Sequence, residues 1–496
     1  MRGLAEQHDD QPTLAAPRRR PLGRLAGAMR RHWLFLLVMA CGAAVRWLVQ
    51  VTYEPAILFF DSFTYLEAVT HLEPGTPRPA GYPVLMLRPL LAFHDLALIP
   101  AVQHLLGLGM AAGIYAMLAH RGIRRWVAAL AITPVLFDGY ELQIEHNIAS
   151  DTLFMALVVG ALVLLSWRRR PSPAAAAAAG LLLGTAATVR FVGLPLLAVP
   201  LVYAVVASRG WRPRVVSTGL LAATAAVPLL IYSGWTYQRT GEFRPGSDTT
   251  SGRTLYARTA PLADCKELAR TGPRYLVQLC PRAPLGLRRE HPRFWMHRTG
   301  PDRDFVAGLP PGVGRYDALR QFGVQVARNQ PRAVASAVAE DFLRGFSWAR
   351  WQPLDTWPLE VWRFDTEVKD SGLGVYDTSE TVRHYGGEGP SVDPGPARFL
   401  RDYQSVVYTR GGVFLLGAAA PLVALAAAVL GGVRQYRMLW PALLVSGTGL
   451  VLLLAAAAFA FSWRYQLPSI PLLPWAAVLG LAALFPRALC RSRETP

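Results

Sequence analysis

Lysine is almost missing from this chain of 496 residues, in which Lys266 and Lys369 are the only two lysines among 51 basic residues. Acidic side chains are also scarce, 33 in all, so the formal net charge is +18. In a soluble protein this excess would suggest a nucleic-acid partner. Here most of the basic clusters lie between apolar runs, which is the positive-inside pattern of membrane proteins. We therefore expect no nucleic-acid partner.

Cysteine is also rare, with four in the chain. Cys41 lies in an apolar run, and Cys490 lies in a basic C-terminal segment. Cys265 and Cys280 are close in sequence and fall in a segment that we place outside the membrane. A disulfide between them fits an oxidising compartment, and two unpaired thiols fit the sequence as well.

The N-terminal segment lacks the features of a cleavable signal sequence. Residues 1–31 are polar and rich in Pro and Arg, which predicts a disordered basic cytoplasmic tail.

The histidines do not indicate a metal site, because none of the following shows a defensible metal-ligand spacing: His71, His94, His104 and His146.

Long apolar runs are what the chain does have. Hydrophobic residues make up 52% of it and the mean hydropathy is +0.25, which indicates an all-α polytopic membrane protein. Ten spans are predicted, with both termini inside: 32–52, 97–119, 126–141, 149–167, 174–189, 191–206, 215–236, 411–430, 439–462 and 468–485. The predicted regions are a tail 1–31, a membrane module 32–236, an outside segment 237–410, three further spans within 411–485, and a tail 486–496.

Two outside segments carry structure of their own. The loop 53–96 is too apolar to be free in water, so we expect short helices in the membrane interface. Within 237–410, helical spacing of apolar residues from Tyr316 to Phe346, interrupted at Pro331, predicts two short amphipathic helices. They would lie on the membrane or on the spans, and a soluble helical hairpin fits the pattern equally well.

The predicted topology brings five ionisable residues from distant regions to the outer face: Asp61, Glu145, Asp151, Arg190 and Arg464. A carboxylate at a membrane edge is costly unless it is hydrated, paired or used. A carboxylate takes a proton from a hydroxyl nucleophile, and an arginine holds a phosphate through two hydrogen bonds. This combination suits transfer of a sugar from a lipid-linked phosphosugar, whose tail would lie in the bilayer.

Each candidate also has a structural interpretation. Asp61 fits the N-cap of a short helix. Glu145 and Asp151 fit carboxylates near a helix start, where the helix dipole favours them. Arg190 and Arg464 fit interfacial anchors that reach toward headgroups.

Several motifs resemble those of the GT-C superfamily of polyprenyl-phosphate-sugar-dependent glycosyltransferases, in particular bacterial members related to protein mannosyltransferases and aminoarabinose transferases. The matching features, in chain order, are Phe60-Asp61-Ser62, the Gly81-Tyr82-Pro83 turn, Glu145 to Asp151 leading into Thr152-Leu153-Phe154, Thr188-Val189-Arg190, and Trp463-Arg464-Tyr465 followed by Pro468 and Pro471. The long outside segment after the seventh span also fits, so the resemblance covers most of 32–485.

The resemblance implies a GT-C-like bundle and inverting transfer from a polyprenyl-phosphate monosaccharide to a glycan, lipid or protein acceptor. By position, Asp61 would be the general base, and Arg190 and Arg464 would hold the donor phosphate. Glu145 and Asp151 would orient substrate or help to bind a divalent cation, which the sequence leaves unknown and for which Asp61 and Asp151 are the candidate ligands. Arg78 and Tyr82 complete the donor-binding candidates. Relatives carry a basic residue after the acidic one, and here Arg78 or Arg88 fills that role only ambiguously; Tyr82 also fits an aromatic of the interface belt.

Two other functions fit a chain of this kind. A transporter or flippase of a lipid-linked sugar would usually carry internal repeats and polar residues near the midplane, and the sequence shows no two-fold repeat. A membrane scaffold that binds a partner through 237–410 is the third. The preference for Arg over Lys and the high Ala, Gly and Pro content indicate a GC-rich bacterial genome, so we expect a bacterial plasma membrane.

Overall fold

The computed structural model describes residues 21–74, 78–245, 248–288, 295, 308–352, 358–368, 377–431 and 436–491. Most of the predicted N-terminal tail therefore lies outside the described residues. Residues 21–31 were also predicted to be disordered, and this is wrong, because a helix begins at Pro21 and continues into the first apolar run with a kink at His32. Proline is favourable in the first turn of a helix, and the Leu, Ala, Met and Arg residues that follow are good helix formers.

The first half of the chain is helical, apart from a two-residue strand. Its elements are α1 Pro21–Thr52, β1 Tyr53–Glu54, α2 Phe60–Thr70, a π-helical turn Pro83–Leu87, α3 Arg88–Leu91, α4 Leu98–His120, α5 Arg125–Ala131, α6 Thr133–Phe137, α7 Gly139–His146, α8 Asp151–Trp167, α9 Pro173–Val189, α10 Gly193–Leu196, α11 Ala198–Ala207 and α12 Trp211–Thr240.

The second half continues with shorter helices before the last apolar ones. They are α13 Asp248–Thr259, a 3₁₀ turn Ala260–Leu262, α14 Cys265–Thr271, α15 Arg274–Val277, α16 Arg315–Asn329, α17 Pro331–Arg344, a 3₁₀ turn Leu359–Trp362, α18 Thr378–His384, β2 Ser391–Val392, α19 Pro394–Val406, α20 Gly411–Val429, α21 Tyr436–Phe459, α22 Trp463–Gln466, a 3₁₀ turn Leu467–Ser469, α23 Leu473–Leu484 and α24 Pro486–Leu489.

The chain is a multi-pass membrane protein with a mostly helical fold. Within the part of the chain that the structure describes, five helices are long and apolar enough to cross a membrane: Met29–Thr52, Leu98–His120, Trp211–Thr240, Gly411–Val429 and Arg437–Phe459. Trp463–Ser469 and Leu473–Leu484 form one further candidate, bent by 42°. Three shorter apolar helices match other predicted spans: Asp151–Trp167, Pro173–Val189 and Gly193–Ala207. The number of ten spans stays a prediction.

One predicted span is not a single helix. Residues 126–141 are divided among α5, α6 and α7. Pro134 stands in the first turn of α6, and Asp138 caps α7 by accepting hydrogen bonds from the backbone N–H groups of Tyr140 (2.9 Å) and Glu141 (3.2 Å). Both are signals that start a helix, so they break the apolar run into short pieces.

The helices share a large buried core, formed mainly by α4, α5, α8, α9, α21 and α23. Large apolar side chains remain exposed on the outward faces of α12 and α20, for example Ile231 and Val429. An apolar outer surface is what lipid-facing helices need, because lipid chains solvate it without cost. The core therefore holds the bundle together while its outside suits a bilayer.

The two ends of the bundle differ in charge. At one end, the Arg124 backbone N–H bonds to the Leu489 carbonyl (2.8 Å), and Arg437 donates to the Arg121 carbonyl (3.1 Å). These basic segments were all predicted to lie inside. Four of the five ionisable residues predicted to lie outside meet at the other end: Asp61, Asp151, Arg190 and Arg464. The orientation of these ends across the membrane stays a prediction.

The long segment between α12 and α20 contacts the bundle at several points. Helix α16 buries Leu319, Phe322 and Val326 in a small core shared with α13, as the spacing of these residues predicts for a helix. Helix α17 begins at Pro331, where the sequence predicts the break, and packs on α21. Strand β2 pairs antiparallel with β1, Tyr53 opposite Val392. The boundaries 237 and 410 of the outside segment stay a prediction.

Candidate functional site

Asp61 lies in the second position of α2, directly after the chain leaves the first apolar helix. The backbone N–H of Phe59 donates to the Ser62 hydroxyl (2.9 Å), so Phe59 and Ser62, not Asp61, form the start of the helix. The N-cap interpretation of Asp61 is therefore wrong. Only 4% of Asp61 is exposed, and both of its carboxylate oxygens accept hydrogen bonds from arginines. Its side chain is thus committed to a charged cluster.

Three arginines and two aspartates form this cluster, which we call the Asp61 cluster: Asp61, Arg78, Asp151, Arg190 and Arg464. Arg78 Nη2 donates to Asp61 Oδ1, and Arg464 Nη1 lies 2.7 Å from Asp61 Oδ2. Arg464 also reaches Asp151, with Nη2 to Oδ2 at 2.5 Å. Arg190 Nη1 lies 2.5 Å from Asp151 Oδ1. Charges alternate along this chain, and three guanidinium groups with two carboxylates leave one net positive charge.

A break in the last apolar segment places Arg464. Helix α21 ends at Phe459, α22 holds four residues, and the chain bends by 42° before α23. Because the break ends the apolar helix, an arginine is accommodated there among polar partners. The Trp362 ring lies over the guanidinium, 5.2 Å from ring centroid to Cζ, which adds a cation–π contact. Arg464 is 5% exposed and touches both carboxylates.

Arg190 caps the C-terminal end of α9 in an extended conformation. Its guanidinium pairs with Asp151, so the snorkelling interpretation does not describe this arginine. The loop that carries Arg78 passes close by, because a Cβ on Gly81 would overlap the Thr188 carbonyl. Only glycine permits backbones to approach so closely. Gly81 therefore fixes the spacing between the loop and the end of α9.

The arginines control the ionisation of Asp61. Burial on its own would raise the pKa of Asp61, but the charges of Arg78 and Arg464 outweigh it and hold that pKa well below its ordinary value. Asp61 is therefore an anion, and in this arrangement it is a weaker base than a free carboxylate.

Two predicted site residues lie elsewhere. Tyr82 is fully buried, and its hydroxyl donates to Gln103 Oε1 (2.9 Å) while its ring meets Tyr65 edge-on. Glu145 is also fully buried, and Arg46 holds it through two bonds of 2.8 and 2.9 Å. The structure therefore does not bring Glu145 together with Asp61 and Asp151, because α7 turns that side chain toward α1 and α4.

Glu145 belongs to a second buried cluster, which we call the Glu145 cluster: Arg46, His104, Glu145 and His146. His104 Nδ1 lies 2.9 Å from Glu145 Oε2, and His104 Nε2 lies 3.1 Å from His146 Nδ1. Arg46 also donates to the carbonyls of Leu136 and Val135, each at 2.9 Å. The sequence reasoning missed Arg46, although an arginine inside an apolar span is itself a signal.

A metal ion does not fit the Asp61 cluster. No group of three or more His, Cys, Asp or Glu side chains arranged to hold one occurs among the residues that the structure describes. Asp61 and Asp151, the candidate ligands, are each held by two arginines, whose charge opposes a cation.

The remaining sequence candidates lie away from this site. Cys265 and Cys280 are joined by a disulfide, with their Cα atoms 6.0 Å apart, at the edge of the small core of α13 and α16. Cys41 is an exposed free thiol and Cys490 a buried one. The disulfide therefore closes a loop in the segment between α12 and α20 and takes no part in the Asp61 cluster.

Comparison with known proteins gives two solved structures. No family model and no curated protein matches the chain. The structures are of ArnT from Cupriavidus metallidurans, in the apo state (13% identity, 90% of this chain and 77% of that chain covered, TM-score 0.33) and bound to undecaprenyl phosphate (14% identity, 86% and 77% covered, TM-score 0.34). Both TM-scores lie below 0.5, so the description of the site depends on the geometry of this protein alone.

Proposed function

We propose that this protein is a membrane glycosyltransferase that moves a sugar from a polyprenyl-phosphate-linked donor to an acceptor at the extracytoplasmic face of a bacterial plasma membrane. The single observation that carries the proposal is the Asp61 cluster, a buried chain of alternating carboxylates and guanidinium groups at one end of an apolar helical bundle. The acceptor is a glycan, a lipid or a protein.

The charge of the cluster suits the donor. A phosphodiester between a lipid and a sugar carries one negative charge, which balances the one net positive charge of three arginines and two aspartates. When the sugar leaves, the lipid phosphate becomes a monoester and gains negative charge. Arginines bind such a group through two hydrogen bonds and stabilise the charge that it gains. Arg190 and Arg464 are the two whose guanidinium groups meet at Asp151.

Donor binding also activates Asp61 in this proposal. A phosphate that takes contacts of Arg464 and Arg78 weakens their hold on Asp61, and the pKa of that carboxyl then rises toward its ordinary value. Asp61 accepts the proton of the acceptor hydroxyl as the acceptor oxygen forms a bond to the anomeric carbon. The bond from that carbon to the phosphate oxygen breaks, and the phosphate leaves with the electron pair. A single displacement of this kind inverts the anomeric configuration.

Replacement of Asp61 by asparagine tests the proposal. Purified protein in detergent is supplied with a panel of undecaprenyl-phosphate monosaccharides and a membrane extract as the source of acceptor, and acceptor-dependent release of undecaprenyl phosphate is measured. Asp61→Asn should lower the rate about 10²–10⁴-fold, as expected for loss of a general base. Glu67→Gln is the matched control, because Glu67 is an exposed carboxylate on the same helix. Full turnover by Asp61→Asn would remove Asp61 as the base.

The same assay separates the alternative of a transporter or flippase. A protein that moves the donor across a bilayer without releasing lipid phosphate would be a flippase. Reconstitution in vesicles with a labelled donor measures the two outcomes side by side.

A further inference from the structure

The segment 145–151 connects the two charged clusters. Glu145 and His146 end α7, and Asp151 begins α8. Gln103 donates from Nε2 to the carbonyls of Glu145 (2.7 Å) and Asn147 (2.8 Å), so one side chain of α4 holds the middle of the segment. The position of Asp151 therefore depends on how this short segment is held.

Helix α2, which carries Asp61, is fastened to the same segment. The Ser62 hydroxyl donates to Asn147 Oδ1 (3.0 Å), and the Tyr65 hydroxyl lies 2.8 Å from Ser150 Oγ. Before the helix, the backbone N–H of Ile57 donates to the His146 carbonyl (3.2 Å). The positions of Asp61 and Asp151 thus both depend on segment 145–151. Glu145 and His146 form the other end of this segment.

The hydrogen bonds of the two histidines need one proton more than two neutral rings carry. His146 Nε2 lies 2.7 Å from the Tyr53 carbonyl, which only accepts, so this nitrogen bears a proton. Glu145 is an anion because Arg46 holds both of its oxygens, so His104 Nδ1 also bears a proton. The contact between His104 Nε2 and His146 Nδ1 (3.1 Å) needs a third.

We propose that His104 and His146 share one extra proton and so form a single cation that locks segment 145–151 in place. The two histidines are then positioning residues for Asp61 and Asp151. All three hydrogen bonds are filled only while the extra proton is present. Its loss leaves two nitrogen lone pairs facing each other, or a bare nitrogen facing a carbonyl or a carboxylate, in a site with little access to water.

The charged groups around this cation come from two helices and their caps. Arg46 on α1 and Glu145 on α7 form the ion pair next to His104. Glu141, one turn before Glu145, and Asp138, which caps α7, are also buried, and the Tyr53 ring lies 6.2 Å from the His146 ring. Burial and the neighbouring His104 lower the pKa of His146. The extra proton is therefore retained only through the hydrogen bonds that the two rings make and through the charge of Glu145 beside His104.

The ionisation of the histidines is testable without any substrate. Protein with ¹⁵N-labelled histidine in detergent is examined by NMR at pH 7, and the pair is recognised by magnetisation transfer between ring nitrogens 3.1 Å apart. We expect one imidazolium with both nitrogens protonated. His104→Gln and His146→Gln should each abolish it, because glutamine both donates and accepts. Two neutral rings in the unmodified protein would overturn the proposal, as would an imidazolium that survives in both variants.

The positioning role rests on the proposed function and has a separate test. In the undecaprenyl-phosphate release assay, the unmodified protein should lose kcat as pH rises and the extra proton leaves. His104→Gln should lower kcat about tenfold, the effect of one hydrogen bond to a charged group, and remove that basic limb. His120→Gln is the control, because it changes an exposed histidine at the other end of α4. A basic limb that persists unchanged in His104→Gln would overturn the positioning role, and the NMR result would stand independently.

Discussion

The Asp61 cluster and the Glu145 cluster use the same kinds of side chain but differ in how they meet water. In the Glu145 cluster, the side chains of Arg46 and Glu145 are 2% and 0% exposed. In the Asp61 cluster, Arg78 and Arg190 at the two ends are 38% and 18% exposed. A ligand in water reaches a charged group only where that group is exposed, so Arg78 and Arg190 are accessible and the ion pair of Arg46 and Glu145 is not. The Glu145 cluster is therefore suited to support the fold, and the Asp61 cluster is the one that the proposed donor can reach.

Removal of Arg46 should disrupt the Glu145 cluster and cause the largest expected loss of unfolding free energy. Arg46→Met leaves Glu145 buried without its main partner, which costs about 3–5 kcal/mol of unfolding free energy. Denaturation in mixed micelles measures it. Arg88→Met is the matched control, because Arg88 is exposed at the same end of the bundle, and it should change stability by less than about 0.5 kcal/mol. A loss below about 1 kcal/mol for Arg46→Met would contradict the supporting role.

Replacement of Arg464 by lysine should change ligand binding at the Asp61 cluster and leave the Glu145 cluster intact. The fork of Arg464 reaches Asp61 at 2.7 Å and Asp151 at 2.5 Å, and a lysine ammonium does not span both. Arg464→Lys should weaken binding of undecaprenyl phosphate by about 10- to 100-fold, as for loss of one charge-assisted hydrogen bond. Arg363→Lys, which alters a surface pair with Glu360, is the control. Equal affinity in both variants would show that Arg464 does not contribute to phosphate binding.

Alanine substitutions of two glycines on α4 test the packing around Glu145 without changing any charge. A Cβ on Gly107 would overlap Glu145 Oε1, whereas a Cβ on Gly109 meets nothing within 4 Å. Gly107→Ala should lower the unfolding free energy by about 1–3 kcal/mol through overpacking. Gly109→Ala should leave it unchanged or raise it slightly, because alanine favours a helix. Thermal unfolding of the pair measures the difference, and equal stability would show that Glu145 moves away freely.

The smallest expected effect concerns pH. The pKa of Asp61 is lowered by Arg78 and Arg464, so its ion pairs contribute stability that is fully present above the unfolded value of about 4 and is lost only as pH falls through the lower folded value. The stability difference between the unmodified protein and Asp61→Asn should therefore stay constant from pH 8 to pH 5. A difference that shrinks between pH 6 and pH 5 would mean that the arginines do not hold Asp61.

The sequence predicts most helices and part of the site. The predicted span 97–119 differs from α4 by one residue at each end, and Pro331 marks the start of α17. The break between α6 and α7 was missed although aspartate is a common N-cap residue, and Asp138 also accepts a hydrogen bond from the backbone N–H of Thr409 (2.6 Å), far along the chain. Such a cap is recognised only when both segments are in place.

The positions of Glu145 and Asp151 show what could not be predicted from the sequence at the site. Both bracket the same predicted turn, and the sequence therefore groups them. Their side chains separate because Glu145 ends one helix and Asp151 begins the next, so small changes in helix direction turn them to different neighbours. Trp362, which covers Arg464, lies in a stretch without regular spacing and left no signal that could be used.

The sequence distance between Asp61 and Arg464 has a consequence for biosynthesis. The two residues are 403 positions apart, so the ribosome makes Arg464 long after Asp61 has reached the membrane. At about 5–20 residues per second, the interval is roughly 20–80 s. During that time Asp61 and Asp151 have Arg78 and Arg190 as their cationic partners from this cluster. The nascent protein thus carries an incomplete Asp61 cluster until its last hydrophobic segment is inserted.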